Sequence, residues 1–106
     1  MSIKVLICDA AIAPASGEST VEGKVVQPNI THGDDEGVWQ LDLSLNSSGE
    51  GVSVELQGRL LPTLAWATIS AAKTADVLER ITLVPYMRVL CTSITGTPEV
   101  KAYIFD

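Results

Sequence analysis

The feature that most constrains the fold is a strict alternation of apolar and polar residues between positions 38 and 45. Its apolar positions are Trp39, Leu41, Leu43 and Leu45. A period of two places alternate side chains on one face of an extended backbone, so this run predicts a strand between a core and water. After turn-forming residues at 46–51, the run at 52–56 alternates in the same way. The two runs predict a β-hairpin.

Similar short runs occur elsewhere at roughly ten-residue spacing. Residues 2–12 are apolar on both sides of an extended backbone, which predicts a strand partly covered on both faces. Residues 18–27 alternate weakly and predict an edge strand. Residues 64–78 fit both strand and helix spacing. For these we predict a strand at 64–70, followed by a loop or one helical turn at 71–76.

The closing stretch predicts a second hairpin, formed by residues 79–94, a turn at 95–98 and a last strand at 99–105. Pro85 lacks the N–H that a sheet ladder needs, so it predicts a bend or an edge position. The last strand is apolar on both sides, which predicts cover on both faces. The positions predicted to enter the core are Ile81, Leu83, Met87, Val89, Cys91 and Ile104.

The chain has 106 residues, which suits a single domain over residues 1–106. Aromatic residues make up 5% of the sequence, so aliphatic side chains must fill most of the core. Trp39 and Trp66 are its predicted large members. No segment repeats at a fixed period, which argues against a repeat architecture. About eight short strands at this spacing predict an all-β fold, either an antiparallel β-sandwich or a small jelly-roll-like barrel.

The charge balance argues against a nucleic-acid partner. Thirteen acidic residues outnumber seven basic ones, for a net charge of -6, whereas proteins that grip phosphates carry basic patches. The acidic excess suits solubility or attraction to a basic surface on a partner. We find no signal peptide and no apolar run of membrane-spanning length, so we expect synthesis in the cytoplasm and no membrane contact.

Candidate reactive residues are few and lack partners. Cys8 and Cys91 lie in apolar runs and predict buried free thiols rather than a disulfide. Without C-x-x-C spacing and with a single histidine, His32, the sequence predicts no zinc site. It also predicts no catalytic residue and no cofactor, because acid–base and nucleophilic catalysis require groups within hydrogen-bond reach of each other.

An acidic run, formed by Asp34, Asp35 and Glu36, lies in the longest polar segment. Its spacing does not match a calcium-binding loop, so it predicts a solvated loop. Such a loop is a candidate contact with a partner protein. The N-terminal strand, added to a partner's sheet, is another candidate contact.

Residues 37–105 resemble small β-sandwich structural proteins of tailed bacteriophages. In such proteins a strand ending in glycine leads to a tryptophan strand, and a Tyr-x-Arg-Val strand pairs through a glycine turn with the last strand. The matching segments are VSVELQG at 52–58, Trp66 with Ile69, VPYMRV at 84–89, TGT at 95–97 and VKAYI at 100–104.

The resemblance implies a non-enzymatic virion protein, made in the host cytoplasm and located on the capsid surface. We expect a head decoration or cement protein that binds the major capsid protein, as a homotrimer or another homo-oligomer. Two alternatives stay open. One is a tail, neck or baseplate component, and the other is a carbohydrate-binding β-sandwich module, which would need an exposed aromatic platform.

Overall fold

The computed structural model describes residues 2–30 and 35–106. In these residues the backbone forms eight strands and no helix. The strands are β1 (Ile3–Asp9), β2 (Val21–Glu22), β3 (Glu36–Asp42), β4 (Gly51–Arg59), β5 (Ala67–Lys73), β6 (Val77–Thr82), β7 (Tyr86–Thr95) and β8 (Val100–Phe105). The predicted strand number and the bend at Pro85, between β6 and β7, are confirmed.

The eight strands form two four-stranded sheets that pack face to face. Sheet A has the order β1-β8-β3-β6, and sheet B has the order β2-β7-β4-β5. All neighbouring strands are antiparallel. The protein is therefore an all-β antiparallel sandwich, as the alternating pattern predicts.

The core lies between the sheets and is largely aliphatic, with Trp39 as its largest fully buried side chain. The core positions predicted from the closing stretch are all buried, namely Ile81, Leu83, Met87, Val89, Cys91 and Ile104. All except Leu83, which follows β6 directly, come from strands whose alternate side chains face the opposite sheet. A period of two was therefore sufficient to identify the buried face of these strands.

Both predicted hairpins are wrong. β3 pairs with β6 and β8 in sheet A, whereas β4 pairs with β5 and β7 in sheet B, so residues 43–50 cross between the sheets. In the same way β7 lies in sheet B and β8 in sheet A, without pairing. This also contradicts the pairing that the phage resemblance implies. The inner faces of both sheets contact one core. A strand therefore shows the same alternation of apolar and polar residues whether the next strand pairs with it or lies in the opposite sheet.

Other boundaries also differ from the predictions. β5 extends to Lys73, so of the two alternatives predicted for 71–76 the structure has a loop, shortened to 74–76, and no helical turn. The predicted edge strand at 18–27 is reduced to β2 and an isolated bridge between Val26 and Met87. Leu45, predicted to be buried, is 64% exposed because the chain has already left sheet A.

The two cysteines have different environments. Both thiols are free. Cys91 is buried, and burial raises its pKa to about 11. Cys8 is exposed, which contradicts its predicted burial. A register shift between Val5 and Ile7 reverses the alternation of β1, so Ile7 packs on the core and Cys8 points outward, opposite Lys101.

One carboxylate joins the two sheets. Trp39 Nε1 donates a hydrogen bond to Glu79 Oε1 at 2.8 Å, and Ser70 Oγ donates to the same oxygen. Glu79 and Trp39 belong to sheet A, whereas Ser70 lies on β5 of sheet B. The Ser70 hydrogen bond, followed by that of Trp39, lowers the pKa of Glu79. The edges formed by β5 and β6 are thus held together by a charged acceptor.

Candidate functional site

The acidic run predicted as a partner contact lies at the start of β3. Asp34 and His32 fall outside the described residues. The carbonyl oxygen of Asp35 accepts a hydrogen bond from the Leu83 N–H at 2.9 Å. Glu36 is exposed and opposes Thr82 of β6. The described part of the run therefore borders sheet A, at the end where β3 begins.

The outer face of sheet A carries a group of apolar side chains. Ile3 and Val5 of β1 lie opposite Phe105 and Tyr103 of β8, and Val38 of β3 also lies opposite Phe105. Leu78 of β6 lies opposite the exposed Gln40 of β3. Three members are strongly exposed, Ile3 at 59%, Val5 at 44% and Leu78 at 69%. We call this surface the apolar face, and its members are Ile3, Val5, Val38, Leu78, Tyr103 and Phe105.

Charged and polar groups border the apolar face. Arg80 is exposed beside Val38 on the neighbouring strand. Lys101 Nζ lies 3.3 Å from Glu99 Oε2, and hydrogen bonding to that carboxylate raises the pKa of Lys101. Hydrogen bonds from the Ser44 hydroxyl and N–H lower the pKa of Asp42. The border therefore presents fixed charges of both signs around an apolar centre.

The Tyr103 hydroxyl lies at the β1 side of this surface. It donates to Cys8 Sγ at 3.8 Å, a long contact to a sulfur acceptor. This hydrogen bond, followed by partial burial, raises the pKa of Tyr103. The phenol is therefore neutral and contributes an amphipathic ring to the surface.

The outer face of sheet B differs, because its polar groups bind one another. Arg88 Nη1 lies 3.2 Å from Glu22 Oε2, and Arg88 Nε donates to Gln57 Oε1 at 2.9 Å. Gln57 Nε2 in turn donates to Glu55 Oε2 at 2.7 Å. This chain of contacts runs across β2, β7 and β4. Such a face is typical of a sheet surface that meets water.

Trp66 is not a core residue, contrary to the prediction. It precedes β5 in a loop and is half-buried. The guanidinium carbons of Arg59 and Arg88 lie 4.1 and 4.4 Å from its ring centroid. Both guanidinium groups are within cation–π distance of the indole, so the ring of Trp66 is already in contact with two cations of its own chain. This contact occupies part of the ring surface that a carbohydrate platform would use.

The described residues contain no group of three or more histidine, cysteine, aspartate or glutamate side chains that could hold a metal ion. Four carboxyl groups have lowered pKa values, those of Asp42, Glu50, Glu79 and Asp106, and each accepts hydrogen bonds. These carboxylates act as charged acceptors within the fold. No helix able to cross a membrane occurs in residues 2–30 and 35–106.

Sequence reasoning did not identify the apolar face, although a signal for it was present. β1 and β8 are apolar on both sides, a composition that predicts cover on both faces. Sheet B covers the inner side, whereas no other described strand covers the outer one. The two-sided composition of adjacent strands could therefore have predicted an uncovered sheet face.

Comparisons with known proteins add no relative. No protein family, curated protein or solved structure matches this chain.

Proposed function

We propose that this protein is a non-enzymatic structural component of a virion, a decoration or cement protein that binds the outer capsid surface and stabilises the head. The observation that supports the proposal is the exposed apolar face of sheet A. The proposed location of the protein on the virion, and the major capsid protein as its partner, rest on the phage resemblance. The homotrimer or other homo-oligomer implied by that resemblance belongs to the same proposal.

The contrast between the two outer faces supports a docking role for sheet A. In a sandwich that meets water on both sides, each outer face is expected to be polar, as that of sheet B is. Sheet A instead exposes Ile3, Val5 and Leu78 beside half-buried aromatic rings. An exposed apolar surface that includes aromatic rings and has charged residues beside it is typical of a protein–protein interface.

The strength expected from this surface suits an adhesive that acts in many copies. Burying the exposed parts of Ile3, Val5 and Leu78 contributes about 1 kcal/mol each. One copy would therefore bind weakly, because association carries a large entropic cost. Repeated copies on a regular lattice still stabilise it, since each binds the assembled state in preference to free subunits.

Charge adds a testable property to the proposal. The chain carries a net charge of -6, so a basic border around the docking site on the capsid would attract it. Added salt screens such attraction, whereas it leaves the apolar contact largely intact. Binding should therefore weaken with rising salt without disappearing.

The test is co-sedimentation of the purified protein with expanded capsids of the virus that encodes it. We expect wild-type protein to sediment with capsids and to saturate. Leu78→Ser, which removes an exposed leucine from the apolar face, should bind at least about fivefold more weakly. Leu61→Ser is the matched control, because Leu61 is a similarly exposed leucine, at 56%, in the loop between β4 and β5 of sheet B.

The outcomes separate the alternatives. Failure of the wild-type protein to sediment with capsids at saturating concentration would overturn the capsid proposal. Sedimentation with isolated tails instead would support the tail, neck or baseplate alternative. Equal binding by Leu78→Ser and Leu61→Ser would show that the apolar face is not the contact.

A further inference from the structure

A second exposed apolar surface lies on the loop that joins β4 to β5. We call residues 60–66 the leucine loop. Its three leucines, Leu60, Leu61 and Leu64, are 62%, 56% and 46% exposed. The loop is held in place, because the Leu64 N–H donates to the Leu61 carbonyl at 3.1 Å and Arg59 Nη1 donates to the Leu64 carbonyl at 3.1 Å. The leucines are therefore presented in a fixed arrangement.

A cavity of about 270 Å³ opens beside the leucine loop. Apolar groups of Gly58, Leu64, Ile69 and Val84 form most of its lining, and Arg59 forms part of its wall. Pockets for whole small-molecule ligands start at about 300 Å³. This cavity is thus better matched to a large apolar side chain than to a complete small molecule.

Gly58 keeps the cavity floor compact. A Cβ atom at this position would lie 2.4 Å from Val84 Cγ2 and 3.0 Å from Ile69 Cγ1. The absence of a side chain lets these two residues pack directly over the backbone of β4. The floor is therefore formed by the backbone of β4 and by the partly buried side chains of Ile69 and Val84.

Arg59 leaves a positive charge without an acidic partner at this cavity. Its guanidinium stacks on Trp66, and its Nη1 bonds the Leu64 carbonyl. Arg59 Nε is buried without a hydrogen-bond partner, and no carboxylate pairs with Arg59 among the described residues. The neighbouring Arg88, on the same ring, is paired with Glu22.

We propose that the leucine loop and its cavity bind an acidic–apolar peptide segment of another protein. A large apolar side chain of the segment enters the cavity, and an aspartate or glutamate close to it pairs with the Arg59 guanidinium. A neutral apolar partner would remove water from the Arg59 guanidinium while offering no carboxylate to pair with it, which is costly. A carboxylate beside the apolar group removes that cost and adds a charge-assisted hydrogen bond.

This surface is independent of the proposed capsid contact. The leucine loop belongs to sheet B, whereas the apolar face is on the outside of sheet A. One copy could bind through both surfaces at once, because they lie on different sheets. Loss of one interaction in an experiment therefore says nothing about the other.

The test starts with a library of random linear peptides displayed on a carrier and selected on the immobilised protein. We expect recovered peptides to carry a large apolar residue within about two positions of an aspartate or glutamate. A recovered peptide is then synthesised with a fluorophore, and its affinity is measured by anisotropy. Replacing its acidic residue by the amide should weaken binding to wild-type protein about tenfold.

Protein variants identify the site. Arg59→Ala should lower affinity about tenfold, and it should abolish the difference between the acidic peptide and its amide version, because the two changes remove one interaction. Leu61→Ser should also weaken binding. The controls are Arg80→Ala and Leu78→Ser on sheet A, which should leave affinity within about twofold. Circular dichroism checks that each variant is folded.

Four results would overturn the proposal. The first is that no peptide is enriched, and the second is that the acid and amide peptides bind wild-type protein equally. The third is binding to vesicles of anionic phospholipid that Leu61→Ser abolishes, which would identify a membrane as the occupant. The last is a concentration-dependent dimer that Leu61→Ser dissociates, which would identify a second copy. The peptide comparison needs no protein variant, so misfolding cannot obscure it.

Discussion

Removing the Glu79 carboxylate should separate the two sheets at one edge. Glu79→Ala leaves the Trp39 N–H, on a side chain with 0% exposure, and the buried Ser70 hydroxyl without their acceptor. Glu79→Gln keeps an oxygen at the same distance but removes its charge. We therefore expect both variants to lose stability, with the larger loss in Glu79→Ala.

The size of the loss follows from the two hydrogen bonds. A hydrogen bond to a charged group contributes about 1.5–3 kcal/mol, and partial exposure of Glu79 places each of these at the lower end. Glu79→Ala should thus cost about 3 kcal/mol, and Glu79→Gln about 1 kcal/mol. If the unfolding free energy falls by about 1 kcal/mol per molar urea, the unfolding midpoint should fall by about 3 M in Glu79→Ala and by about 1 M in Glu79→Gln.

The pH dependence of this loss has a definite sign. Hydrogen bonds hold the folded pKa of Glu79 below its ordinary value of 4.5. The carboxylate therefore contributes its full stability above that value and loses it as pH falls through the folded pKa. Glutamine does not titrate, so the difference between wild type and Glu79→Gln should narrow over this acidic window.

Urea unfolding monitored by circular dichroism, at neutral pH and at several acidic values, measures both effects. Glu55→Gln is the control, because Glu55 accepts a hydrogen bond from Gln57 on the outer face and joins no sheets. It should change stability by less than about 0.5 kcal/mol. Two results would refute the reasoning. One is a loss of unfolding free energy below about 1 kcal/mol in Glu79→Ala, and the other is a stability difference between wild type and Glu79→Gln that does not change with pH.

Further predictions concern packing and thiol reactivity. Gly58→Ala should destabilise the protein by about 1–3 kcal/mol, because its Cβ would lie 2.4 Å from Val84 Cγ2. Gly51→Ala, where a Cβ meets nothing within 4 Å, is the control in thermal unfolding, and an equal loss in both would contradict the packing argument. Iodoacetamide should label exposed Cys8 rapidly and buried Cys91, with its pKa raised to about 11, only after unfolding. Mass spectrometry of the native protein would contradict this if Cys91 carried the label first.

Alternation in the sequence predicted strands and their buried faces but not strand pairing. Met87 and Val89 alternate with Tyr86 and Arg88, and the structure buries the first pair while the second faces outward. Which strand lies beside β7 depends on contacts between distant residues, and these leave no periodic mark on the sequence. Both hairpins failed for this reason.

The surfaces that the proposals use were predictable to different degrees. The apolar face follows from the two-sided composition of β1 and β8, once those strands are known to be neighbours. The leucine loop was hidden because Leu64 and Trp66 have the spacing of a strand. Their actual position depends on Arg59 and Arg88, which come from two other segments and hold the indole outside the core. A local pattern cannot report such a contact.

The pairing of β1 with β8 has a consequence for how the chain folds during synthesis. Ile3 opposes Phe105, so β1 has no ladder partner until almost all of the described chain has left the ribosome. β3 also needs β8 on one side, which delays sheet A relative to the β4–β5 pair. Sheets that depend on such distant pairings fold slowly. The apolar strands of sheet A should therefore be exposed to aggregation or chaperone binding until β8 emerges.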